Sequence, residues 1–244
     1  MPDTTAITTL RRYRTPIVSD ALERLGARAR TLDYTDATIR SILPALGAFV
    51  GYACTGKVAA ELPEEQGGAR VPWPDVWRHV QAQRQPSLMV CQDLDQPAGK
   101  GCAWGDVSAA TFTRLGCVAV VTNGAVRDIR AVEEIGFGLF AATTVVGHAH
   151  VRFVEIGTAV KVGGLIVRPG DLVHADEHGA LIIPPGIAIG ELVAASERHM
   201  EAERSVIDYA LRAPDFSIEG LTRRMDEMHD AADSHFREPG APRR

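Results

Sequence analysis

The chain has 244 residues, 45% of them hydrophobic and 23% charged, the balance of a soluble globular protein rather than a disordered or fibrous one. A formal net charge of −5 gives no electrostatic reason to expect nucleic acid. No apolar run approaches the ~20 residues of a membrane span, so no membrane partner is expected. The basic residues comprise 23 Arg but only three Lys, Lys57, Lys100 and Lys161. Schiff-base chemistry, which requires a lysine, therefore has few candidates. Cys54, Cys91, Cys102 and Cys117 include no C-x-x-C pair and read as free thiols of a reduced compartment. The opening Met-Pro-Asp-Thr-Thr lacks the basic and apolar regions of a signal peptide, and a cytoplasmic location is expected.

In chain order, residues Thr15 to Gly26 read as a helix, with Ser19 or Asp20 available to cap its start and Gly26 closing it. Ala48–Ala60 predicts a strand, and Pro72–Gln83 a helix with Trp73, Val76, Trp77 and Val80 on one face. Ser87–Val90 predicts a buried strand, followed by a glycine-punctuated loop over Pro97–Gly101. A helix then starts near Asp106, a buried strand covers Val118–Val121, and residues 122–128 read as a turn. Next come a helix over Ile129–Ile135, a turn at Gly136 and a strand over Leu139–Ala142. A β-rich section follows over Val151–Val162, Leu165–Val167 and Asp171–Ile183, with turns at Gly163-Gly164, Pro169-Gly170 and Glu177-His178-Gly179. Pro184-Pro185-Gly186 ends it, and Ile187 to Leu211 predicts a long amphipathic helix with apolar surface left for another subunit. The pattern is an α/β core at about 45–184, an N-terminal helical arm at 1–44 and C-terminal helices at 185–236. Together these form one domain, with a disordered tail at 237–244.

Chemistry gathers at two turns. Asp106 sits at a turn-to-helix junction, where the backbone N–H groups of Val107 and Ser108 favour an anion. Further on, Arg127 offers a planar fork for a carboxylate or 2-oxo acid, and Asp128 supplies hard oxygen for Mg²⁺ or Mn²⁺. A cation and an arginine aimed at one 2-oxo acid stabilise an enolate, an electrostatic route to breaking C–C bonds. The bland alternative is a helix cap and a surface ion pair.

The run from Trp104-Gly105-Asp106 through Gly116 and on to Thr122-Asn123-Gly124-Ala125-Val126-Arg127-Asp128 resembles the signature of the RraA-like family, which includes class II 4-hydroxy-4-methyl-2-oxoglutarate aldolases. Ile17–Leu22, Val162-Gly163-Gly164, Val167–Asp171 and Ala175–Ala180 agree in the same order, so the resemblance covers about Thr15 to Pro184. It implies a swivelling α/β/β/α sandwich with N- and C-terminal helical arms, assembled as homotrimers or hexamers with sites between subunits. It further implies that Asp128 binds Mg²⁺ or Mn²⁺ directly and Asp106 through a water, while a water on the metal moves protons. Arg127 would hold the substrate's carboxylate and C2 oxygen, helped by the N–H groups after Gly105, those of Val107 and Ser108. A glutamate from a neighbouring subunit's C-terminal helix would complete the metal site through water, with Glu203 the candidate and Glu201 the alternative.

The implied activity is retro-aldol cleavage of a 4-hydroxy-2-oxo acid, or oxaloacetate decarboxylation, through a pyruvate enolate. The alternative within the family is a non-enzymatic, protein-binding regulator of RNA degradation. Those regulators lack the complete acidic set, which this chain retains. Two departures concern the distal half of the substrate. Val107 and Ser108 stand where family aldolases carry two leucine-like residues, and Trp104 precedes the glycine, with the Trp73/Trp77 face expected to approach the pocket.

Two rival chemistries have weaker support. His148-Ala149-His150 with Glu155 has cupin-like ligand spacing and on a strand would face one side. The helix-rich middle is wrong for a jelly roll, however, and solvated or locally hydrogen-bonded histidines are expected. A Schiff base on Lys57 or Lys161 would leave the Asp106 and Arg127-Asp128 pattern without a purpose.

Overall fold

A computed structural model of the chain describes residues 4–233; the tail expected over 237–244 lies outside them. The elements begin with α1 (Thr4–Leu10), α2 (Thr15–Arg24), β1 (Arg40–Ser41), a 3-10 turn at Pro44–Leu46, β2 (Phe49–Ala59), α3 (Glu64–Gly67) and α4 (Trp73–Gln81). Then come β3 (Ser87–Asp93), α5 (Asp106–Arg114), β4 (Cys117–Val126), α6 (Ile129–Ile135), β5 (Gly138–Thr144), β6 (Arg152–Ile156), β7 (Val160–Val162) and β8 (Leu165–Val167). The hairpin of β9 (Leu172–Asp176) and β10 (Gly179–Ile183), with α7 (Ile189–Arg212) and α8 (Ile218–Asp233), completes the series. The chain divides into two compact units, Asp33–Pro185 and a terminal unit of the residues flanking it.

Asp33–Pro185 is an α/β unit built on a sheet of order β1-β5-β4-β3-β2-β9-β10, with β6 also paired to β2 and β7–β8 a separate two-stranded hairpin. Neighbouring strands from β2 to β5 are parallel. Each is added on the same side of its predecessor, so right-handed crossovers put α4, α5 and α6 on one face. Side chains alternate accordingly. Met89 and Cys91 of β3 join Val76, Val80, Phe112 and Val132 in one core, whereas Leu88 and Val90 point into a second. The second core is closed by β7, β8, β9 and β10 through Val160, Val162, Leu165, Val167, Val173 and Ile182.

Three expectations change. The turn signal at Asn123-Gly124 is a bulge inside β4, which continues to Val126. The Asn123 side chain accepts from Asp93 N at 2.8 Å and donates to Asp93 O at 2.9 Å, so an amide substitutes for the interrupted ladder. The stretch Val151–Val162 breaks into β6 and β7 at Gly157, which has φ 73°. In the terminal unit α2 starts at Thr15 with Pro16 in its first turn, leaving Ser19 and Asp20 inside the helix rather than at its cap. In that unit α7 packs on α1, α2 and α8. Ile207, Leu211, Phe216 and Ile218 are exposed around the break between α7 and α8. Among the described residues no helix is long and apolar enough to cross a membrane.

Phe140 is fully buried and meets Phe49 edge-on at 5.9 Å between ring centroids. Phe140→Ala is expected to cost about 3–5 kcal/mol through lost transfer energy and a residual cavity. Equilibrium urea unfolding checks this; a loss below about 1 kcal/mol would contradict the packing described.

Candidate functional site

The parallel strands carry their C-terminal ends to one edge of the sheet, the edge at which open α/β sheets bind ligands. There β4 ends at Val126, and Arg127-Asp128 turns the chain into α6. Asp128 adopts the left-handed conformation, φ 56° and ψ 38°, in the position that precedes α6. An aspartate there ordinarily caps the helix with its side chain, yet this one makes no capping hydrogen bond. Its Oδ2 instead accepts from Arg127 Nε at 2.9 Å and lies over Gly105, where a Cβ would collide with it.

Gly105 immediately precedes α5, so the start of that helix and the Arg127-Asp128 turn are held against one another. Arg127 is anchored three times: its N–H donates to Trp104 O at 2.9 Å, Nε to Asp128, and Nη1 to Val146 O at 3.2 Å. The outer Nη2 edge takes no part in this network. The Arg127 and Asp128 side chains are 28% and 30% exposed. A pair so hydrated adds at most about 1 kcal/mol to stability, and its consequence is orientation.

A family profile, RraA-like (Aldolase/RraA), matches residues 15–182. The chain belongs to the RraA-like family. It is 32% identical over 115 residues to a Halalkalibacterium halodurans protein named as a provisional 4-hydroxy-4-methyl-2-oxoglutarate aldolase, covering 45% of this chain and 55% of that protein. With the 4-hydroxy-4-methyl-2-oxoglutarate aldolase of Thermus thermophilus it shares 40% identity over 70 residues, 28% of this chain and 43% of the other. The chain thus spans about half the length of these curated relatives. Among solved structures, an uncharacterised Pseudomonas syringae protein aligns with TM-score 0.67 and 21% identity over 91% of this chain and 99% of that one. Streptomyces coelicolor RraAS2, described as an unusual member of the RNase ES inhibitor RraA protein family, aligns with TM-score 0.63 and 24% identity, covering 84% and 96%. At these identities the structural likeness establishes the RraA-like α/β fold.

Within this fold Gly105, Arg127 and Asp128 are in contact, and Asp106 adjoins Gly105 in the first turn of α5. The expectation for the Val107 N–H changes: it donates at 2.7 Å to Asp106 Oδ1, so the first turn already holds an anion, its own. The Ser108 hydroxyl donates to Ala103 O, fixing the loop ahead of the helix. The Trp104 ring is buried edge-on against Phe112 and Phe153 while its carbonyl holds Arg127. Trp73 also packs on Phe153. The backbone anchors Trp104 O and Val146 O leave no sequence signal, since any residue supplies a carbonyl.

Glu203 lies on α7 in the terminal unit, where His199 Nε2 is 3.3 Å from Glu203 Oε1 and 3.0 Å from Asp20 Oδ2. These three residues, and Asp176, Glu177 and His178 at the β9–β10 turn, are the ligand-type trios assembled among the described residues. The cupin-like trio is absent because residues 148–150 lie outside any strand, with Ala149 in a turn at φ 48°. His148 Nδ1 instead meets Cys102 O at 3.0 Å, and Glu155 pairs with Lys57 Nζ at 2.7 Å.

Burial distinguishes the remaining titratable groups from the site. Desolvation raises the Asp93 carboxyl above its ordinary value, although Gly99 and Asp95 N–H groups oppose the shift. The same cause raises the thiols of Cys54, Cys91 and Cys102, and pushes Cys117 up to about 11. All four cysteines are free and buried, so none is a competent nucleophile near neutral pH. Native protein is expected to resist a thiol-specific chromogenic reagent until unfolded; rapid labelling of any cysteine in the folded state would contradict this. Gly105→Ala is expected to drive the Asp128 carboxylate from its place, which a crystal structure of the variant would reveal. An unmoved Asp128 would show that the glycine is not required.

Proposed function

We propose that this RraA-like protein is a divalent-metal-dependent lyase acting through a pyruvate enolate. It would cleave a 4-hydroxy-2-oxo acid of the 4-hydroxy-4-methyl-2-oxoglutarate type, decarboxylate oxaloacetate, or do both. The observation that carries the reading is the Asp128 carboxylate, withdrawn from helix capping and held between Gly105 and Arg127. Asp128 and Asp106 offer hard, partly solvated oxygens, a donor set suited to Mg²⁺ or Mn²⁺ with waters filling the other positions. Asp128 would hold the ion directly, Asp106 through water, and Glu203 of a partner subunit, or Glu201, through water. When bound, such an ion supplies Lewis-acid polarisation of the C2 oxygen.

The remaining work falls to the chain itself. The Nη2 edge of Arg127 would receive the 2-oxo acid's carboxylate and C2 oxygen, and its fixed Nε would keep the guanidinium plane from rotating. As the C–C bond breaks, negative charge grows on the C2 oxygen. A donor already oriented there stabilises it without reorganising. The second reading is a protein-binding regulator of RNA degradation, for which the family name and the description of RraAS2 speak. The complete Asp106, Arg127 and Asp128 set favours the lyase.

Pyruvate release from oxaloacetate is expected with Mg²⁺ or Mn²⁺ and is expected to vanish on adding EDTA. Asp128→Ala should abolish turnover. Arg127→Lys should lose about 10²-fold or more, because an ammonium cannot present the planar fork. A coupled assay for pyruvate reads all three. No activity with any divalent ion would sink the lyase reading, and wild-type turnover in either variant would refute the role given to that residue.

A further inference from the structure

The loop that receives Arg127 also carries an imidazole. Val146 accepts from Arg127 Nη1 at 3.2 Å, and His148 follows two residues later. On the other side, His148 Nδ1 lies 3.0 Å from Cys102 O, three residues before Gly105. A carbonyl only accepts, so this contact requires the proton on Nδ1 and leaves Nε2 with the lone pair in the neutral ring. The two loops are closely seated, since a Cβ on Gly101 would collide with the backbone carbonyl of His148. Cys102 itself feels the charges of both Arg127 and Asp128. The next residue, Ala149, holds a left-handed conformation at φ 48°, which is unfavourable for a residue with a β-carbon and persists where surrounding contacts impose it. His148 is exposed, so Nε2 is reachable by a ligand.

We infer that His148 is the proton-transfer group of the site, exchanging a proton between Nε2 and C3 of a bound pyruvate enolate. This rests on the lyase reading and adds a residue to it; the family resemblance assigned proton movement to water. In the decarboxylation direction the C3–C4 bond of oxaloacetate breaks, its electron pair forms the C2=C3 bond of the enolate, and CO₂ leaves. The imidazolium Nε2–H then gives its proton to C3, the C2 carbonyl re-forms, and neutral His148 recovers a proton from solvent. Run backwards on pyruvate, Nε2 removes a methyl proton. The Cys102 carbonyl steadies the imidazolium in both directions through Nδ1–H.

The test follows the pyruvate methyl signal by proton NMR in D₂O with Mg²⁺ and the full chain, beside CO₂ release from oxaloacetate. His148→Ala is expected to slow methyl exchange by about 10²-fold or more, the scale of general acid–base catalysis. CO₂ release should fall by less, because bond cleavage precedes the proton. Added imidazole should restore exchange to His148→Ala, and His150→Ala, next in the same loop, should exchange as wild type does. His148→Asn keeps a donor for Cys102 O and should lose exchange while keeping the wild-type melting temperature, so misfolding cannot mimic the result. Wild-type exchange in His148→Ala, or a loss that imidazole does not rescue, would overturn the inference. A wild-type protein that decarboxylates oxaloacetate without exchanging pyruvate would overturn it alone. One that does neither would overturn the lyase reading with it.

Discussion

The site depends on one close approach: the carboxylate of Asp128 resting on the bare backbone of Gly105. Two costs are accepted to make it. Asp128 takes a left-handed backbone conformation, which aspartate tolerates better than most residues but which still costs on the order of 1 kcal/mol. It forgoes the side-chain cap of α6, a further ~1 kcal/mol. Its partner Arg127 is too hydrated to repay either through the ion pair. What offsets them is the packed sheet behind, where Val126 and Ala125 are buried and Arg127 N–H is tied to Trp104 O. Local strain held in place by a stable scaffold is the usual signature of a working site.

The same scaffold separates groups that react from groups that only fill space. Cys54, Cys91 and Cys117 lie in one core, Cys102 and Asp93 are buried as well, and desolvation moves each toward its neutral form. Asp93 is consumed locally, accepting from the backbone of Asp95 and Gly99. Asp128 and Arg127 stand instead at the sheet's edge with part of each side chain in water.

Periodicity made the helices and strands of the α/β unit readable, because β3 and β4 bury both faces and α4, α5 and α6 bury one. It failed where a side chain imitates backbone. Asn123-Gly124 has the composition of a turn, but the Asn123 amide bridges to Asp93 and carries the strand onward. At His148-Ala149-His150 the expected locally hydrogen-bonded histidine is found, since Ala149 is left-handed and His148 Nδ1 meets Cys102 O. For the site, the charged residues were legible and their anchors were not. Asp106, Arg127 and Asp128 are visible as side chains, whereas Trp104 O, Val146 O and Cys102 O are carbonyls that every sequence contains.

That reliance on carbonyls also explains why departures from the aldolase pattern leave the charged geometry intact. Trp104 contributes its main chain to Arg127, while its ring fills the core against Phe112 and Phe153. Ser108 uses its hydroxyl to hold Ala103 O, a structural bond in the loop rather than a contact with Asp128. Val107 presents its side chain to solvent and binds Asp106 only through its N–H. Changes at these three positions can therefore alter the surroundings of the Arg127-Asp128 turn without moving either residue. The frame that holds the charged pair is built largely from backbone, and the side chains around it are free to vary.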